Sequence, residues 1–146
     1  MAQFYPVALR LEGRRVLVVG AGAVARRKVK TLLACGARVR VVAPEADPEL
    51  ARLAAEGEIE LVLRPYRAED LDGAFLALAA ANASRVNAQV AEDARRRGVL
   101  VNCADAPDAS DFLVAAAVPR GDLLIGIFTG GNSPALARRL REEIEA

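Results

Sequence analysis

The run Arg15-Val16-Leu17-Val18-Val19 ends directly on Gly20-Ala21-Gly22-Ala23-Val24-Ala25. An uninterrupted aliphatic and β-branched run suits a parallel strand covered on both faces, because neither side then alternates toward water. The two glycines break that strand. From Ala23 to Ala34 the spacing becomes helical, with Val24, Val29, Leu32 and Leu33 as candidate core contacts, and Gly36 supplies the C-terminal stop. Strand, glycine turn and helix in immediate succession restrict the chain to a βαβ beginning of the kind that closes on an anion.

The turn fits G-x-G-x-x-G/A with alanine in the last place. Gly20 permits the tight turn, Gly22 lets the backbone approach a pyrophosphate, and Ala25 keeps the helix close to the strand. Free backbone N–H groups and the helix dipole then attract negative phosphate. A dinucleotide site is expected over Gly20, Ala21, Gly22, Ala23, Val24 and Ala25. It extends to the ends of the second and fourth strands at Pro44, Glu45, Ala80 and Asn82. The acidic ribose partner usual about 20 residues after the glycines is displaced, since Ala43-Pro44 comes first and Glu45 follows slightly late. Glu45 disfavours a 2′-phosphate, and no arginine directly follows the strand, so NAD is preferred over NADP.

Further strands are expected over residues 39–43, 59–63, 75–79 and 100–103. A helix from Pro48 to Glu56 and another, capped by Ser84, running to Arg97 lie between them. This alternation predicts an α/β fold, a Rossmann-type doubly wound parallel sheet. After it the rhythm changes. Residues 112–118 and 123–128 read as two strands joined by Pro119-Arg120-Gly121-Asp122, and Ser133-Pro134 opens a last helix toward Ile144. The chain is therefore divided into a dinucleotide-binding domain, residues 1–108, and a C-terminal β-hairpin plus helix, residues 109–146. An apolar hairpin is marginal alone, so the appendage is expected to form a homodimer interface or else to fold back on its own sheet.

Composition narrows the function. With 146 residues, 53% hydrophobic and 27% charged, the chain suits one compact core with an appendage. A net charge of +1 gives no global pull toward nucleic acid or membrane, although 18 of the 20 basic residues are arginine. The arginine triplet 95–97 reads as a solvated helix end. The opening MAQFYPVALRLEG is interrupted by Arg10 and Glu12 and reads as neither signal nor anchor, and Ala74 to Ala81 is too short to span a bilayer. A cytoplasmic protein is expected. Cys35 and Cys103 make no disulfide framework and read as small core residues. With no histidine and no thiolate cluster, no metal site is expected, and proton transfer falls to carboxylate, lysine, tyrosine, cysteine or water.

Asp105 is the carboxylate immediately beyond the fifth strand, in Asn102-Cys103-Ala104-Asp105-Ala106-Pro107, and reads either as a general base or as a turn former. Thr129-Gly130-Gly131-Asn132-Ser133-Pro134 offers backbone donors to an anion, or is a turn with Ser133 as cap. Arg138, Arg139 and Arg141 could meet substrate carboxylates or pair with Glu142, Glu143 and Glu145.

Taken together, Leu11 through Lys28, Val42 through Glu45, Asn102 through Pro107 with Phe112, and Thr129 through Arg138 resemble the precorrin-2 dehydrogenases, the siroheme-synthase N-terminal domain. The resemblance covers nearly the whole chain. Ala81 and Ala115 depart from it, standing where the family more often shows threonine and proline. It implies NAD-dependent oxidation of precorrin-2 to sirohydrochlorin, in some members joined to iron insertion, and a homodimer built from the region after the fifth strand. Asp105 matches the family's essential aspartate, and Ser133 a serine phosphorylated in some members. Asn102, Thr129, Gly130, Gly131, Asn132, Ser133 and Arg138 are the expected tetrapyrrole contacts. A carboxylate beside the nicotinamide suits a reaction that removes a hydride and a proton without histidine. Besides the bifunctional dehydrogenase and ferrochelatase, a non-catalytic NAD(H)-sensing module is the alternative, since it would need Gly20 to Ala25 but not Asp105.

Overall fold

The computed structural model describes residues 3–146. It forms two compact units, Ala8–Asp111 and Phe112–Ala146, the second including the described residues up to Val7. In the larger unit β1 (Arg15–Val19), α1 (Ala23–Ala34), β2 (Arg38–Ala43), α2 (Pro48–Ala55), β3 (Glu60–Leu63), β4 (Leu76–Ala79), α3 (Ser84–Arg96) and β5 (Leu100–Cys103) follow one another. All five strands are parallel, in the order β3-β2-β1-β4-β5. This is the expected Rossmann-type sheet. The central β1 carries the unbroken aliphatic run because both its faces are covered: Val16, Leu17, Val18 and Val19 are all buried. The chain leaves β1 toward β2 on one side and returns as β4 on the other, which opens a crevice above the carboxyl ends of these strands.

Helix α1 seats Ala25, Val29 and Leu32 on the sheet, a stripe at the i, i+4, i+7 spacing. Val24 stands one residue off that stripe and is 41% exposed, so it is not the core contact its hydrophobicity predicts. Leu33 is only partly buried. Cys35 is exposed at the C-cap of α1, against expectation, whereas Cys103 is buried at the end of β5. Ser84 does not cap α3. It is already helical, and Ala83 occupies the cap position with no side-chain bond. The triplet 95–97 is exposed yet partnered: Arg95 donates to the Ala109 carbonyl at 2.8 Å, Arg96 pairs with Glu92, and Arg97 with Asp72.

The smaller unit pairs β6 (Ala116–Arg120) with β7 (Leu123–Ile127) antiparallel, and α4 (Pro134–Glu145) packs on this hairpin. Strand β6 begins four residues later than residue 112 and takes in Pro119 and Arg120. The turn shrinks to Gly121-Asp122, with Gly121 at φ +59°. Pro119 is tolerated because β6 has a single strand neighbour. Val118 and Ala137 are buried, while Leu123, Leu124 and Phe128 remain exposed. No helix among the described residues is long and apolar enough to cross a membrane.

One buried charge braces the larger unit. Asp70 is 3% exposed and lies on a short 3-10 turn, Ala68–Leu71. Arg64 grips it with two bonds of 2.9 and 2.6 Å, the Arg67 N–H donates at 2.9 Å, and Arg40 approaches to 3.8 Å. Burial alone would raise this carboxyl's pKa, but these donors outweigh it and hold the group below its ordinary 3.8. Its contribution to stability is complete above that value and is lost as pH falls through the lower folded one. Asp70→Asn is therefore expected to cost about 3 kcal/mol at neutral pH. The gap to wild type should close on acidification below pH 3.8, as read by urea unfolding across a pH series.

Candidate functional site

A cleft of about 680 Å³ lies over the glycine turn, between the ends of β2 and β4. Its floor is set by contacts that continue the sheet past its strands. The Gly20 N–H donates to Val42 and the Ala80 N–H to Val19, at 2.9 and 2.8 Å. Gly20 has φ +110°, and a Cβ placed on it would fall 2.4 Å from the Ala80 carbonyl oxygen and 2.7 Å from the Ala81 nitrogen. Only glycine fits, for its backbone angle and for its neighbours alike.

Gly22 is the N-cap of α1 at φ −93°, with no side-chain cap and no acidic residue in the first turn. A Cβ there would meet nothing within 4 Å. The opening N–H groups of α1 thus face open space at the positive end of the helix dipole, the arrangement that binds phosphate. Ala21 is buried, and Ala25, fully buried, holds α1 close to the sheet, while Ala23 and Val24 are exposed in the first helical turn.

At the end of β2, Pro44 and Glu45 line the cleft as expected, and a second carboxylate joins them. Asp47 caps α2, accepting from the Glu49 N–H at 2.9 Å and from Arg26 Nη1 at 3.0 Å. The Asp47 N–H donates to Ala21 at 2.8 Å, which ties α2 to the glycine turn. Pro48 marks the helix start in the sequence, but the cap at Asp47 and its reach across to Arg26 depend on how α1 and α2 pack. Ala80 and Asn82 line the opposite wall.

Tyr66 and Gln89 complete the far end, and the sequence reading missed them. Both donate to the buried Asp93 carboxylate at 2.9 Å. Burial, reinforced by Asp93, raises the Tyr66 pKa, so its phenol remains a donor at neutral pH. No sequence spacing could have signalled this trio, because Tyr66 and Asp93 are 27 residues apart.

Asp105 is exposed two residues past β5, on the same carboxyl edge, and does not line the cleft. Its loop is anchored behind it. The Cys103 N–H donates to Ser110 Oγ at 2.8 Å, and Asp111 exchanges two bonds with the Val101 backbone at 3.0 and 2.8 Å. Burial, and secondarily the Asp105 charge, raises the Cys103 pKa, which keeps that group a thiol. Asn102 is 7% exposed within β5, also outside the cleft lining.

In the smaller unit Thr129 Oγ1 donates to the Ser133 carbonyl at 2.9 Å and accepts from its N–H at 3.3 Å. Gly130 and Gly131 turn at positive φ, with Asn132 exposed after them. Ser133 Oγ caps α4 by accepting from the Leu136 N–H at 3.2 Å. On α4, Arg139 pairs with Glu143 and Arg141 with Glu145, whereas Arg138 is exposed and joins neither pair.

Residues 7–116 match the family model described as "Putative NAD(P)-binding", and residues 120–146 match the one described as "Sirohaem biosynthesis protein central". Siroheme synthase of Chromobacterium violaceum is 45% identical over 99% of this chain and 31% of its own length. Siroheme synthase 3 of Aeromonas hydrophila is 43% identical over 98% of the chain, again 31% of the relative. The chain thus spans about a third of the length of these curated relatives. Among solved structures, SirC, a precorrin-2 dehydrogenase, superposes with TM-score 0.84 at 34% identity, covering 97% of this chain and 70% of that one.

The two glycines separate fold from binding. Gly20→Ala should destabilise the chain by at least about 2 kcal/mol, since backbone must shift at a strained φ. Gly22→Ala should melt as wild type does yet bind NAD⁺ about tenfold more weakly, because its methyl enters the phosphate seat. Thermal melts with and without NAD⁺ check both.

Proposed function

This chain belongs to the NAD(P)-binding siroheme-biosynthesis family that includes precorrin-2 dehydrogenase, and from that premise we propose that it oxidises precorrin-2 to sirohydrochlorin with NAD⁺. The observation that carries the reading is the uncapped start of α1 at Gly22, open to a cleft whose β2 side holds carboxylates. Within Gly20 through Ala25, the free backbone N–H groups of the turn and the start of α1 hold the pyrophosphate, while Gly20, its own N–H engaged by Val42, shapes the turn and Ala25 keeps α1 close to the sheet; Ala80 and Asn82 form the wall opposite. Pro44 and Glu45, with Asp47, bound the adenosine ribose. Glu45 is placed there to accept ribose hydroxyls and to disfavour a 2′-phosphate, whereas both Asp47 oxygens are engaged by Arg26 and the Glu49 N–H; Glu45 supports NAD over NADP.

NAD⁺ supplies the hydride acceptor. Asp105 takes the accompanying proton: its exposed carboxylate sits on the carboxyl edge, and a carboxylate suits a chain without histidine. Precorrin-2 is rich in carboxylates. Asn102, the Thr129-Gly130-Gly131-Asn132-Ser133 turn and Arg138 are its proposed contacts, the last supported by a guanidinium outside the α4 ion pairs. Residues 1–108 carry the cofactor and 109–146 the dimerisation region. A homodimer is supported by the exposed Leu123, Leu124 and Phe128 on the hairpin. The protein works in the cytoplasm, where NAD is at hand.

Anaerobic incubation of precorrin-2 with NAD⁺, followed by absorbance, should give sirohydrochlorin; well-folded protein that forms none rejects the reading. Asp105→Ala should keep NAD⁺ affinity within about twofold while lowering kcat by about a hundredfold or more. Unchanged turnover would remove Asp105 from the mechanism.

A further inference from the structure

Beyond β4 the chain crosses the top of the sheet through Ala80, Ala81 and Asn82 before entering α3, and this segment is the wall of the cleft facing β2. Ala81 lies past the last ladder bond of β4. Its N–H and C=O are nevertheless both satisfied, by a single side chain: Asn87 Oδ1 accepts from the Ala81 N–H at 2.9 Å, and Asn87 Nδ2 donates to the Ala81 carbonyl at 3.0 Å. The pair is a two-point amide clasp. Asn87 is 1% exposed, is not itself part of the cleft lining, and is held from behind. Its N–H donates to Ala83 at 3.3 Å, and its carbonyl accepts the Cys103 thiol at 3.8 Å.

We propose that Asn87 is a positioning residue for the cofactor, fixing through Ala81 the distance between the Ala80–Asn82 wall and the glycine turn. This rests on the cleft being the NAD site. The geometry leaves little latitude, because the Ala80 carbonyl already occupies the space where a Gly20 side chain would be. Movement of the segment toward Gly20 closes the phosphate seat, and movement away removes the wall. Asparagine is suited to the task by presenting one donor and one acceptor at short reach. Alanine would leave two backbone groups unpaired, and aspartate would set a carboxylate oxygen against the Ala81 carbonyl.

The test uses the intact chain with Asn87→Ala and Asn87→Asp, measuring NAD⁺ affinity by titration, thermal midpoints, and steady-state kinetics with precorrin-2. Both variants should weaken NAD⁺ binding about tenfold at pH 8, the cost of an unsatisfied buried group. The loss should appear in KM for NAD⁺, with KM for precorrin-2 within about twofold of wild type. Asn87→Asp should recover toward wild-type affinity near pH 5.5, because a buried carboxyl facing a carbonyl protonates readily and then donates as the amide did. The neighbouring titratable group, Cys103, stays a thiol throughout, since burial raises its pKa. Wild-type affinity in both folded variants overturns the inference. So does failure of both to fold at every pH, which would make Asn87 a residue of the fold alone. Failure of the wild-type chain to bind NAD⁺ would instead sink the NAD reading, and this inference with it.

Discussion

The Ala80 carbonyl lies where a side chain on Gly20 would be, and the arrangement of the cleft follows from that contact. It brings the end of β4 against the turn after β1 at the point where the strand order reverses, so the crevice opens where the helix α1 presents its first N–H groups. Burial of β1 on both faces fixes the turn's height above the sheet. Ala25 then keeps α1 close to that strand, which aims the positive end of the helix at the crevice rather than past it. A bulkier residue at position 20 would separate two strands before it altered any ligand.

Charge is arranged around this seat with economy. The helix that receives phosphate has no acidic residue in its first turn, while the end of β2, some way along the same cleft, carries Glu45 and Asp47. Arg26, on α1 itself, holds Asp47 in place and so joins the phosphate helix to the carboxylate side of the cleft. At the far end Tyr66 and Gln89 are held by Asp93, a buried carboxylate whose two oxygens are both engaged. Asp47, Tyr66 and Gln89 are each held by a side chain outside the cleft lining, an arrangement that limits rearrangement on binding.

Much of this was legible in the residues. The strand run 15–19, the glycine turn and the helix starting at Ala23 are local patterns, and local patterns survive into the fold. Gly20 and Gly22 follow from the glycine-turn motif, and Pro44, Glu45, Ala80 and Asn82 from the rule that ligands gather at the carboxyl ends of parallel strands; all six line one cleft. What was not legible depends on packing between elements. Asp47 reaches Arg26 across 21 residues, Tyr66 reaches Asp93 across 27, and Asn87 turns back from its helix to hold a loop six residues earlier. Val24 and Cys35 are exposed despite their apolar character because hydrophobicity alone does not say which face of α1, or which side of its C-cap, meets the sheet. The hairpin was placed correctly, but β6 runs through a proline that ordinarily signals a turn, which is acceptable only because β6 pairs on one side.

The central claim is that the Gly20–Gly22 turn and the Ala80–Asn82 wall enclose a dinucleotide. A backbone amide NMR titration with NAD⁺ tests it most directly. The account expects the largest shifts at Gly20, Ala21, Gly22 and Ala23 and along Ala80 to Asn82, saturating together with one affinity. Shifts confined to the amino edge of the sheet around Arg15 and Arg38, or no change at saturating NAD⁺, would contradict it.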